Sequence, residues 1–139
     1  MKKLFLTLAI VAGAYGLSSA QTTNKLVVKI TNIQSAKGDV GVSVSNSEET
    51  FLGKPFVSKA KSAKKGEMTF EFEVPNGDYT VRVMHDENKN GELDSNFMGI
   101  PTEPYGISMD GKSMFGPPSY EDALFVIADK NVKLTIKID

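Results

Sequence analysis

The run Asp86-Glu87-Asn88-Lys89-Asn90-Gly91-Glu92-Leu93-Asp94 sets oxygen-bearing side chains at its first, third, fifth and ninth positions, with glycine at the sixth. Calcium takes six to eight oxygen ligands at once. Alternate residues of a tightly curled loop can supply them where a glycine permits the curl. In that chemistry Asp86, Asn88, Asn90 and Asp94 would bind through side chains and Glu92 through its backbone carbonyl. The match covers the front of an EF-hand loop and then stops. The twelfth position is Phe97, where an EF-hand carries a bidentate glutamate. Closing ligands would have to come from Glu103, Glu121 or Asp122. The alternative is a hydrophilic turn whose Asn and Gly residues satisfy backbone geometry.

His85 is the only histidine and sits beside this loop. It continues the inward parity of Tyr79, Val81 and Val83, so it is either an acid/base or metal group or a histidine at the edge of the core, bonded to a loop. On a strand, His85 and Asp86 point to opposite faces. There is no cysteine, no Gly-x-Ser-x-Gly elbow and no glycine-rich phosphate cradle, so no catalytic residue is assigned. A second group of interest lies downstream. Phe97, Tyr105, Phe115 and Tyr120 fall in an irregular stretch from Ser95 to Glu121 and would form either a stacking surface for a ligand or a packed lid. Within that stretch, Ser119 with Asp122 three residues on reads as a helix start.

The elements that would position these residues alternate with period two. Met68, Phe70, Phe72 and Val74 share one face opposite Glu67, Thr69, Glu71 and Glu73. Tyr79, Val81 and Val83 stand against Thr80, Arg82 and Met84, and Pro75-Asn76-Gly77-Asp78 between the two runs signals a hairpin. Leu26, Val28 and Ile30 form an earlier strand, and Val40, Val42 and Val44 the next. Leu134 and Ile136 lie in the last. Ala123 to Ala128 is apolar on both faces and reads as a central strand, and a short further strand lies near Phe56-Val57. No segment of useful length shows a helical period. The expected fold is all-β: an antiparallel β-sandwich of about seven strands with one long irregular Gly/Pro/aromatic loop.

The chain opens on Lys2 and Lys3, an uncharged apolar run from Leu4 to Gly16, and Ser18-Ser19-Ala20. This is the pattern of a cleavable signal peptide over residues 1–20, leaving a single domain over residues 21–139 with Gln21 first. The expected location is the periplasm or the cell exterior, with no membrane span after cleavage. Without Lys2 and Lys3, fourteen Lys+Arg face seventeen Asp+Glu, a net charge of −3, which speaks against a nucleic-acid partner. The basic group Lys54, Lys59, Lys61, Lys64 and Lys65 reads as a solvated loop or a lysine-protected edge strand. The absence of cysteine excludes both disulfides and lipid attachment at the cut.

Together, Gly77-Asp78-Tyr79, His85-Asp86-Glu87-Asn88 with Asn90-Gly91 and Asp94, Phe97-Met98-Gly99-Ile100-Pro101 with Glu103, Tyr105-Gly106, and Phe115-Gly116-Pro117-Pro118-Ser119 with Glu121-Asp122-Ala123 resemble the exported bacterial proteins grouped as domain of unknown function 2141. Pro104, Ile107 and Met109-Asp110 depart from the family's pattern. The resemblance implies a secreted β-sandwich, with a hairpin similar to those of transthyretin-like and carboxypeptidase-regulatory-like modules. It carries no activity to transfer. The expected function is an exported, non-catalytic binding or interaction module for an unidentified ligand or envelope protein, stabilised by calcium. One alternative is a metal- or carboxylate-dependent hydrolase using His85 and the acidic cluster. Another is a structural component of an envelope assembly.

Overall fold

Alternating apolar and polar residues build two sheets whose apolar faces meet. The computed structural model describes residues 21–111 and 118–139, so residues 1–20, expected to be a signal peptide, and the candidate Phe115 lie outside the described residues. The strands are β1 (Thr23–Ile33), β2 (Asp39–Ser45), β3 (Val57–Ser62), β4 (Gly66–Pro75), β5 (Gly77–Asp86), β6 (Tyr105–Ile107), β7 (Phe125–Ile127) and β8 (Val132–Lys137). One sheet runs β4-β1-β8. The other runs β3-β2-β5-β6, and β7 pairs with the start of β5 on the edge that β6 occupies further along. All pairings are antiparallel except β1 with β8. The expected all-β sandwich is thus present, with eight strands among the described residues.

The core forms where the alternation places it. Leu26, Val28 and Ile30 of β1 pair across the first sheet with Phe72, Phe70 and Met68, and all six are buried. Opposite them lie Val40, Val42 and Val44 of β2 and Tyr79, Val81 and Val83 of β5, also buried. Two lysines of the edge strand β3 reach across to the edge strand β4. Lys59 Nζ donates to the Glu71 carbonyl, and Lys61 Nζ donates to the Thr69 carbonyl at 2.9 Å. Their ammonium groups pass over the Phe72 and Phe70 rings at 5.0 and 4.5 Å. The lysines thereby occupy carbonyls that would otherwise template another strand.

Three elements differ from the sequence expectation. Ala123 to Ala128 is not a central strand. Only Phe125–Ile127 pairs, as a short strand on one side of β5, and Val126 is 61% exposed. β6 lies inside the stretch read as irregular. A five-residue helix, α1 (Glu48–Leu52), was not visible as a periodicity; it is set by a capping box in which Ser47 Oγ accepts from the Thr50 amide. The turn expected at Ser119 is present: Ser119 Oγ accepts from the Asp122 amide at 3.1 Å, ahead of a 3-10 turn at Glu121–Ala123.

Candidate functional site

β5 ends at Asp86, and the chain leaves the sheet as a loop folded on its own side chains. The buried Asp86 carboxylate accepts from the Asn90 amide at 3.1 Å and from the Gly91 amide at 2.7 Å. Asn88 Oδ1 accepts from the Asn90 amide at 3.0 Å, and Asn90 Oδ1 from the Glu92 amide at 2.9 Å. These successive Asx turns direct both carboxamides inward. They meet at Asp94, whose Oδ1 accepts from Asn90 Nδ2 at 2.8 Å and whose Oδ2 accepts from Asn88 Nδ2. Gly91 has φ +80°, the left-handed conformation that a curled loop needs and that glycine adopts without strain. Gly38 supports the loop from below. It has φ +69°, and a Cβ there would stand 1.9 Å from the Asp86 carbonyl oxygen, so only glycine fits.

Glu103, one of the three candidate closing ligands, joins this loop. Its side chain is buried; Oε1 accepts from the Glu87 amide at 2.9 Å and Oε2 from the Asp94 amide at 3.1 Å. Glu121 and Asp122 lie in the 3-10 turn. Asp122 is bonded to Ser119, and no hydrogen bond among the described residues ties either acid to the loop. The loop therefore gathers Asp86, Asn88, Asn90, Asp94 and Glu103. Among the described residues no three acidic or imidazole side chains cluster closely enough to hold a metal ion by themselves. With Glu103 taken up by the Glu87 and Asp94 amides, the loop's own donor set is the Asp86 and Asp94 carboxylates with the Asn88 and Asn90 carboxamide oxygens, which would suit a hard cation held weakly.

His85 is fully buried. Its Nε2 lies 2.8 Å from the Lys37 carbonyl, which can only accept, so the proton is on Nε2. Nδ1 has no partner and no access to solvent.

The outward face of β2 and β5 carries a groove of about 1000 Å³ beside the loop. Gly41, Ser43, Arg82 and Met84 form its floor, α1 one wall, and Met98 and Ile100 the other. The second wall is a tight turn. Asn96 Oδ1 accepts from the Met98 and Ile100 amides at 2.9 and 3.1 Å, and the Asn96 amide donates to the Ile100 carbonyl at 2.8 Å. Of the aromatic candidates, Tyr105 lines the groove and Tyr120 packs edge-on against Phe51 at 5.9 Å, while Phe97 is 97% exposed at the turn's tip. Burial pulls the Arg82 guanidinium below the usual arginine range, and its nearest aromatic contact is the Phe51 ring at 4.9 Å. Sequence reasoning placed Arg82 on an outward strand face and assigned it no role; the available signal was that it is the single arginine of a lysine-rich chain.

Fold and loop together define a small two-sheet β module with an Asx-rich loop leaving one strand. A family model described as "Uncharacterized protein conserved in bacteria (DUF2141)" matches residues 28–135. The chain belongs to that family. No curated protein and no solved structure matches it.

Proposed function

We propose that the protein is an exported, non-catalytic binding module whose 86–94 loop takes one calcium ion as a structural element. The observation that carries this reading is the convergence of the Asn88 and Asn90 carboxamides on the Asp94 carboxylate, with Asp86 holding the curl from the other side. The NH2 groups now face Asp94 while each Oδ1 accepts from a backbone amide, so binding would turn the second lone pair of each carboxamide oxygen to the cation and free Asp94 for it. Asp86, Asn88, Asn90, Asp94 and the Glu92 carbonyl would hold the ion. Its charge would neutralise two carboxylates now answered only by amide dipoles. With so few anionic ligands, affinity is expected on the order of 10⁻⁴–10⁻³ M, in the range of extracellular modules. The burial of His85, whose one bonded ring nitrogen faces a backbone carbonyl, supports a non-catalytic reading, because a general base must reach its substrate.

A thermal melt in calcium against chelator tests the proposal. At a hundredfold excess over Kd, calcium is expected to stabilise the folded chain by about 2.7 kcal/mol. Magnesium should do less, since it demands a tighter octahedral shell. Asp86→Ala and Asp94→Ala should both abolish the gain. A wild-type melt indifferent to calcium, with no heat of binding by calorimetry, would reduce the loop to a hydrophilic turn.

A further inference from the structure

We propose that the groove over β2 and β5 binds an aliphatic monocarboxylate, its carboxylate on Arg82 and its chain along Met84, Ile100 and Leu52. The proposal deepens the binding-module reading and rests on it, but not on the calcium ion. Arg82 is half-buried in the groove floor. The ion pairs among the described residues, Lys25–Glu71, Lys29–Glu67 and Lys89–Asp39, all use lysines and leave it without a carboxylate. Partial burial strips hydration from the guanidinium; the Phe51 ring offsets part of that cost, and a bound anion would offset the rest. Guanidinium presents paired N–H donors that match the two oxygens of a carboxylate, a geometry that lysine cannot offer.

The lining decides the rest of the ligand. Among the described residues that line the groove Arg82 is the one charged side chain, so their charge complements a single negative charge better than a phosphate dianion. The walls are apolar: Leu52, Met98 and Ile100 are 75%, 65% and 52% exposed. The floor belongs to a sheet face rather than a sheet edge, so it has no ladder positions for a guest backbone. A peptide would lose hydration from its own N–H and C=O groups there, whereas an alkyl chain has none to lose. The groove's size is at the upper end for small-molecule sites. Gly41 keeps the floor open, because a Cβ at that position would meet only the Met84 side chain, at an ordinary 3.8 Å.

The test titrates decanoate, decanol and acetate into the full chain by calorimetry, with sedimentation run alongside. Decanoate should bind one to one, decanol at least tenfold more weakly, and acetate not measurably. Arg82→Gln should bring decanoate down to the level of decanol. Gly41→Leu adds a side chain the strand can accommodate, and it should block both probes while the melt stays cooperative; it serves as the second variant if Arg82→Gln folds poorly. Equal binding of decanoate and decanol, or no effect of Arg82→Gln, overturns the proposal. So does dimerisation that either variant abolishes, which would make the groove a self-association face. A melt that responds to calcium without decanoate uptake overturns the groove alone, and decanoate uptake without a calcium response overturns the ion alone.

Discussion

Glu103 holds both ends of the 86–94 loop with one carboxylate, accepting from the Glu87 and Asp94 amides. Glu103→Ala would leave two partly buried donors unanswered, at about 1–3 kcal/mol in denaturant unfolding. Glu103→Gln retains one acceptor oxygen and should lose less. An unchanged midpoint for the alanine variant would show that the loop closes without it. The spacing of Asp86, Asn88, Asn90 and Asp94 was legible because loop oxygens at alternate positions have a local signature. Glu103 was legible only as one acid among three, since its partners are backbone amides selected by the fold. The role proposed for Arg82 was hidden for a similar reason: it rests against Phe51 of α1, and the groove's other wall is the 96–100 turn, both distant from it in sequence.

At the scale of the element, the long strands were readable and the short ones were not. β4 alternates over ten residues, and its buried set Met68, Phe70, Phe72 and Val74 is the set its parity predicts. Phe70 is fully buried opposite Val28. Phe70→Ala should therefore cost roughly 3–5 kcal/mol, by lost burial and a residual cavity. A loss well under about 1 kcal/mol would mean that this face does not pack as a core. β6 and β7 have three residues each, too few for alternation to be distinguished from chance. α1 has five, less than two turns of a 3.6-residue period, so only its Ser47–Thr50 cap could have announced it. Ala123 to Ala128 misled because apolar residues on both faces need not mean a sheet on both sides. Ala123 is buried against Gly111, whereas Val126 faces solvent.

At the scale of the whole molecule, the proposal of export rests on Lys2, Lys3, the apolar run after them and Ser18-Ser19-Ala20. Intact mass of the secreted protein should correspond to residues 21–139; a mass that still includes Met1 to Ala20 would make the segment an anchor. Among the described residues no helix is long and apolar enough to cross a membrane. The pairing of β1 with β8 adds a matter of timing. β1 is the middle strand of its sheet, and its partner along one side is Val132–Lys137, more than a hundred residues later in the chain. Closing so long a loop is entropically costly and slow, and until those last residues emerge β1 keeps one edge open. A nascent chain of this topology cannot complete its first sheet early. If the chain is exported as proposed, a sheet that closes this late would leave more of it open for passage through a membrane pore before it folds.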